Sequence, residues 1–147
     1  MANILNKFFQ EVIGSATKIR DYVAIISSKG DFKRIEELNV ILMSWNTILL
    51  TPRRTYVLDP EFGSDLYKYV FDPADEATVE SIKTEVIDRI SLYDDRAVIE
   101  DVEVRVMRGG KGYEINIVAE YKKSRGTLTV KIDDTTFANI LTETGAT

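Results

Sequence analysis

The chain has 147 residues, of which 44% are hydrophobic and 29% charged, with a formal net charge of −5. This length fits one domain of about 100–150 residues, and the composition is that of a folded globular protein. The acidic balance argues against direct binding of nucleic acid, which depends on Lys and Arg displacing counterions. The absence of Cys and His removes disulfides, thiolate chemistry and the commonest general base. We therefore expect no cofactor, and without an apolar run of ~20 residues we expect no membrane insertion.

The first thirty residues predict a helical extension. Their apolar residues recur in pairs four apart, with Phe8 and Phe9 on the same stripe, which is typical of a short amphipathic helix. The stripe either caps the protein's own core or docks on a partner chain. The apolar cluster at 19–26 has no clear period and is compatible with both helix and strand, of which helix is favoured. A loop is predicted at 27–31.

The clearest predicted helix precedes Thr51. Its apolar spacing defines one core-facing stripe of Leu38, Ile41, Leu42, Trp45, Ile48 and Leu49. Trp45 is predicted to pack in the core with its indole N–H on a nearby carbonyl. Pro52 ends the helix, because it lacks a backbone donor and disfavours helical geometry before it. The turn-rich connector from Thr51 to Leu66 then predicts a device that fixes the angle between two packed elements, with Gly63 supplying a positive φ or a close backbone approach.

A second helix is predicted to begin at Asp72-Pro73, with Asp72 as its cap and Pro73 in its first turn. Its apolar stripe continues to Tyr93. Glu85 and Arg89, four residues apart, are expected to pair on its wet side.

The last third of the chain alternates apolar and polar residues in three segments, 102–106, 113–121 and 128–132. This alternation predicts a β-meander with one buried face. The turns at 108–112 and 122–126 are expected to be longer than a two-residue hairpin. The predicted fold class is α+β, with two to four helices packed on a C-terminal antiparallel three-stranded β-meander.

Six connector residues keep a recognisable spacing: Thr51, Pro60, Glu61, Phe62, Gly63 and Leu66. Their pattern, and the order of the elements around it, resembles the baseplate wedge family of contractile phage tails and of related contractile injection and secretion machines. Members of that family often carry a lysozyme-like label. The resemblance covers roughly residues 31–133, which suggests a wedge-like domain there, a helical extension at 1–30 and a polar tail at 134–147.

Three places depart from the family's pattern. Arg53-Arg54 stand where the family turns through Pro-Gly, and Thr55-Tyr56 replace its acid-Arg pair. Asp94-Asp95-Arg96 occupies the place of its Glu-Pro-Arg tripeptide and lacks the Pro. The resemblance implies that the Arg96 guanidinium binds a carboxylate or carbonyl groups of a neighbouring chain. The alternative is an ordinary ion pair with Asp94 or Asp95.

The resemblance also implies a function. It indicates a structural subunit at the tube–sheath junction of a contractile tail baseplate, which joins other wedge proteins and starts sheath assembly by β-strand augmentation. It implies six copies, or a multiple of six, in a virion tail baseplate assembled in the bacterial host cytoplasm. The residues expected at partner interfaces are Asp94, Asp95, Arg96, Arg53, Arg54, Phe8 and Phe9.

Two other functions are considered, of which the second is compatible with the baseplate role. A peptidoglycan glycosidase would use two carboxylates as acid and base or nucleophile, drawn from Asp59, Glu61, Asp72, Glu76 and Asp94. A soluble adaptor would bind a partner helix through the stripe that contains Phe8 and Phe9.

Overall fold

The computed structural model describes residues 20–26, 30 and 32–135. This part of the chain contains helices α1 (Leu38–Leu50), α2 (Leu66–Tyr69) and α3 (Glu76–Tyr93). Strands β1 (Arg20–Ile26) and β2 (Phe32–Glu36) form an antiparallel hairpin before α1. Strands β3 (Val98–Val106), β4 (Gly112–Tyr121) and β5 (Ser124–Asp133) form an antiparallel sheet in the order β3-β4-β5. The predicted α+β class, with helices followed by a three-stranded sheet, is confirmed.

The core lies between the sheet and the two longer helices. Helix α1 packs against β5, α3 packs against β3, and the two helices contact each other. Ile115 and Ile117 of the central strand are fully buried, as is Trp45 of α1. Burial of such a side chain contributes about 1.5–3 kcal/mol before entropy is subtracted. The Trp45 indole N–H has no hydrogen-bond partner among the described residues, so the expected bond to a carbonyl is wrong.

The helix predicted at 19–26 is wrong, because Arg20–Ile26 is strand β1, paired with β2. Its composition includes Val23, Ile25 and Ile26, β-branched residues that favour extended backbone. A short apolar run without a period does not distinguish helix from strand, and here the partner strand decides. The hairpin extends to both sides of residue 30, where a domain boundary was expected, and that boundary stays a prediction. Phe8, Phe9 and the tail beyond residue 135 lie outside the described residues.

Helix α3 begins three residues later than predicted. Its cap is Asp75, whose Oδ1 accepts a hydrogen bond from the Thr78 N–H at 2.8 Å. Asp72 instead belongs to the end of α2, since its N–H donates to the Tyr69 carbonyl at 3.1 Å. Both aspartates are plausible caps by residue type, so the sequence did not separate them.

The two turns of the sheet differ. The β3–β4 turn is long, as predicted, and is closed by a hydrogen bond from the Met107 N–H to the Gly112 carbonyl at 2.9 Å. The β4–β5 turn contains only Lys122 and Lys123, between the paired residues Tyr121 and Ser124, so the longer loop expected there is wrong. Both lysines have positive φ values, 47° and 66°. That geometry is usually signalled by Asn or Gly, which explains why the sequence did not indicate it.

Candidate interaction site

The connector between α1 and α2 closes back on itself. The Ser64 N–H donates to the Thr51 carbonyl at 2.9 Å, and the Arg53 N–H donates to the Ser64 carbonyl at 3.2 Å. The Ser64 hydroxyl also donates to the Leu49 carbonyl at 2.5 Å, which ties this closure to the last turn of α1. Gly63 has a φ of 103°, and a Cβ there would lie 2.2 Å from the Thr51 oxygen. The positive φ and the close approach predicted for Gly63 are therefore both confirmed.

Arg53 braces the connector from inside and links it to α3. Its guanidinium donates to the Asp65 carboxylate at 3.0 Å and to the Glu61 carboxylate. The Asp65 N–H in turn donates to Glu85 Oε1 at 3.0 Å, an oxygen that also accepts from Arg89 Nε at 3.1 Å. The predicted Glu85–Arg89 pair is thus confirmed. The prediction that it lies on the solvent-exposed side of the helix is wrong, because both side chains are less than one-fifth exposed. The partner-interface role of Arg53 stays a prediction, and its guanidinium is already bound within the chain.

Arg54 takes a backbone conformation that favours glycine. Its φ is 69°, and it is the third residue of a turn closed by the Thr55 N–H and the Pro52 carbonyl at 3.4 Å. Its own N–H donates to the Pro60 carbonyl at 2.9 Å. The backbone therefore makes a turn of the kind that Pro-Gly favours, although the residues differ. Its side chain is exposed and has no ion-pair partner in the part of the chain that the structure describes.

The tip of the connector presents apolar side chains to solvent. Tyr56, Val57 and Leu58 are 46%, 89% and 83% exposed. Beneath them the Phe62 ring makes edge contacts with Tyr56 and Tyr93, at centroid distances of 5.6 and 5.1 Å. An apolar tip on a braced loop is typical of a protein contact, because little conformational freedom remains to be lost on binding. This tip was not predicted from the sequence, although three consecutive apolar residues inside a turn-rich segment were a signal for it.

Arg96 is bound within the chain as well. Its Nε donates to Asp94 Oδ1 at 2.8 Å, its Nη2 donates to Asp94 Oδ2 at 2.5 Å, and Nη2 also donates to the Ser44 hydroxyl of α1 at 3.0 Å. These hydrogen bonds to Asp94 raise the pKa of Arg96. The Asp94 side chain is 4% exposed, so the pair joins the end of α3 to α1 instead of lying loosely on the surface. The contact of Arg96 with a neighbouring chain stays a prediction, as does that of the exposed Asp95.

A cleft of about 330 Å³ lies between the second half of α3 and the start of β3. Two of its apolar residues are open to solvent, since Val98 is 67% exposed and Ile87 42% exposed. The residues that line it are Ile87, Ile90, Ser91, Asp94, Asp95, Ala97, Val98 and Ile99. The sequence analysis did not identify this cleft, because its two walls come from different elements.

The carboxylates considered for hydrolysis are Asp59, Glu61, Asp72, Glu76 and Asp94. Glu61 and Asp94 are each held in an ion pair with an arginine. Asp59 Oδ1 accepts the Glu61 N–H at 3.1 Å, a contact within a turn. These three carboxylates therefore have structural roles that account for their positions.

Among the described residues, two other carboxyl groups have displaced pKa values, and both values are lowered. Burial raises the pKa of Asp65, but hydrogen bonds from Lys68 and Arg53 outweigh it. Hydrogen bonds from Thr78 lower the pKa of Asp75. The acid of a glycosidase needs a raised pKa, so neither group supplies it.

Within residues 20–26, 30 and 32–135, no group of three or more acidic, His or Cys side chains is arranged to hold a metal ion. In the same ranges, no helix combines the length and the apolar character that crossing a bilayer requires.

The described part of the chain thus combines a connector held by internal hydrogen bonds, an Arg96–Asp94 ion pair that is hydrogen-bonded to Ser44 of α1, and a cleft beside a sheet edge. These features define a small α+β protein whose exposed apolar tip is typical of a protein contact. A family model described as baseplate wedge protein gp25 matches residues 36–136. Because this match covers more than half of the chain, the chain belongs to that family and is a structural component of a baseplate, in a phage tail or a contractile injection system.

Two solved structures have a similar fold. The chain is 22% identical to a protein from Geobacter sulfurreducens described as a candidate tail lysozyme, with a TM-score of 0.60, covering 76% of this chain and 96% of that one. It is 14% identical to a chain of the anti-feeding prophage baseplate, with a TM-score of 0.62, covering 76% and 91%. At these identities the likeness shows a shared fold. No curated protein sequence is significantly similar to the chain.

Proposed function

We propose that this chain joins wedge partners at the tube–sheath junction of the baseplate and starts sheath assembly by accepting a β-strand from the sheath subunit. The observation that carries the proposal is the three-stranded sheet, in which no described strand pairs with the outer side of β3 or of β5. Edge N–H and C=O groups bind an extended segment from another chain in the same way that strands bind each other. The anti-feeding prophage baseplate was described with six-fold symmetry, which supports six copies or a multiple.

The connector tip is suited to the second part of this role, the contact with wedge partners. Val57 and Leu58 are the most exposed large apolar side chains in the described residues, and the same connector carries the exposed Arg54, which has no ion-pair partner among residues 37–135. An apolar anchor together with an Arg is a common composition for the centre of a protein interface. We assign this tip to a wedge partner, and we place assembly in the bacterial host cytoplasm.

Reconstitution tests both parts. Purified protein is mixed with the wedge proteins of the same machine and then with its sheath subunit, and sheath growth is followed by electron microscopy. We expect sheath on assembled baseplates and none when this chain is left out. Leu58→Glu should reduce incorporation into the baseplate without lowering the melting temperature, whereas Leu92→Glu, which also replaces an exposed leucine, is the matched control. Sheath growth that does not depend on this chain would refute the proposal.

A peptidoglycan glycosidase is the second candidate function, favoured by the likeness to a protein described as a candidate tail lysozyme. The ion pairs of Glu61 and Asp94 make it the weaker candidate, and we propose that the chain is not an enzyme. A cell-wall turbidity assay distinguishes the two. Clearing by the pure protein that is lost in Glu61→Gln or Glu76→Gln would establish the enzyme instead.

A further inference from the structure

Both edges of the sheet offer free backbone groups. The Met107 N–H donates to the Gly112 carbonyl, so these two residues form a hydrogen-bonded pair. In an antiparallel ladder every second residue bonds to the neighbouring strand, and the residues between them direct their backbone groups outward. By this alternation, the N–H and C=O groups of Val102, Val104 and Val106 point away from β4. On the other side of the sheet, the alternation starts from the Tyr121–Ser124 pair that flanks the β4–β5 turn. It directs the backbone N–H and C=O groups of alternate β5 residues away from β4, namely Arg125, Thr127, Thr129 and Lys131. Backbone hydrogen bonding alone therefore does not select the edge that binds a partner.

The space beside the two edges does differ. An added strand directs every second side chain toward the helices, so it needs room there. Beside β3 this room exists as the 330 Å³ cleft under α3, lined by Ile87, Ser91 and Val98. Over β5, helix α1 lies so close that a Cβ at Gly126 would be 2.9 Å from Leu38 Cδ2. The β3 edge can thus receive an inward side chain that the β5 edge has less room to receive.

Charge distinguishes the two edges further. On β5, Arg125 forms an ion pair with Glu100 at 2.5 Å, and Lys131 forms one with Glu114 at 3.2 Å. Asp95 in the cleft and Asp101 on β3 are exposed and have no ion-pair partner among residues 37–135. The β3 edge therefore carries two exposed carboxylates that no ion pair within residues 37–135 neutralises, which favours a basic segment.

We propose that β3, and not β5, receives the partner strand. This strand directs apolar residues into the cleft, with a basic residue opposite Asp95, and directs basic residues toward Asp101 on the other face of the sheet. The inference rests on the proposed function, in which the sheath subunit supplies the segment. It adds the edge that binds and the kind of sequence that is bound. In this arrangement the backbone of β3 supplies affinity and the cleft supplies specificity.

The test uses the full chain and the purified sheath subunit of the same machine, with binding measured by biolayer interferometry and sheath growth by electron microscopy. Ser91→Trp fills the cleft from an exposed position of α3, and Ser81→Trp places the same side chain almost three turns away on that helix. Thr127→Pro removes an outward N–H from the β5 edge. Asp95→Lys reverses the charge at the cleft. Because Asp95 is exposed, we expect this variant to fold, so it tests the proposal even if Ser91→Trp does not fold.

We expect Ser91→Trp and Asp95→Lys each to weaken sheath binding by about tenfold or more, while Ser81→Trp and Thr127→Pro stay within about twofold of the parent chain. Loss of binding in Thr127→Pro with normal binding in Asp95→Lys would overturn the choice of β3 and leave the proposed function standing. If the parent chain itself neither binds the sheath subunit nor starts sheath growth, the proposed function fails and this inference fails with it.

Discussion

Replacing Gly63 by Ala tests how the connector holds α1 in place. The added Cβ would meet the Thr51 carbonyl oxygen at 2.2 Å, and the residue would have to keep a φ of 103°. The Thr51 oxygen also accepts the Ser64 N–H at 2.9 Å, so any movement that relieves the clash lengthens this hydrogen bond. The substitution therefore acts on the joint between α1 and the connector.

The expected cost has two parts. A left-handed conformation costs an L-residue about 1–2 kcal/mol, and loss of the Ser64–Thr51 hydrogen bond costs about 1 kcal/mol. We expect Gly63→Ala to lower the free energy of unfolding by about 2–3 kcal/mol, a large share of the 5–15 kcal/mol typical of a domain. Equilibrium unfolding in urea, monitored by circular dichroism, measures this loss.

Gly109→Ala is the matched control for backbone strain. Gly109 has a φ of 90°, and no atom lies within 4 Å of a Cβ built there. It should cost only the conformational part, about 1–2 kcal/mol. Equal losses of unfolding free energy in the two variants would show that the close approach of Gly63 to Thr51 does not contribute to stability and does not hold the connector on α1.

Three further predictions concern local charges and backbone strain. Arg54→Gly should raise the free energy of unfolding by about 1 kcal/mol in urea, because glycine accepts a φ of 69° without strain. Arg96→Ala should lower the melting temperature, with a loss on the order of 2 kcal/mol, because it leaves the buried Asp94 carboxylate without its partner. The pKa values of Asp65 and Asp75 in the folded chain lie below the ordinary value of 3.8. Their contribution to the free energy of unfolding is therefore fully present above pH 3.8 and is lost as the pH falls through the lower folded values. Urea midpoints should therefore fall between pH 6 and pH 3 by less in Asp75→Asn than in the parent chain.

Each of these has its own control. Arg54→Ala removes the same charge and keeps the strained φ, so a gain in both variants would assign the effect to charge. An unchanged melting temperature in Arg96→Ala would mean that Asp94 finds another donor, of which the Ser44 hydroxyl is a nearby example. A pH dependence that is the same in Asp75→Asn and the parent chain would show that the Asp75 cap does not contribute to it.

In the connector, the backbone features could be predicted from the sequence, whereas most side-chain partners could not. Pro52 and Gly63 were read correctly, because the conformation of each depends on its own covalent structure. Arg53 was identified as a charged residue of interest, but its partners were not. The Arg96–Asp94 ion pair was one of the alternatives considered from the sequence, whereas the hydrogen bond from Arg96 to Ser44 was not. Arg53 meets Asp65 and Glu61, and Arg96 meets Ser44 across 52 residues, and these meetings require the fold to bring distant segments together.

By itself, the sequence determined the position of α1, its end near Thr51 and the three-stranded meander, since hydrophobic period and Pro or Gly geometry act within a few residues. Tertiary structure alone decided that Arg20–Ile26 is a strand, that Glu85 lies inside a joint, and that a cleft opens beside β3. These features depend on which surfaces meet after the chain has closed its loops. Packing and long-range pairing select them, and a local pattern leaves the choice open.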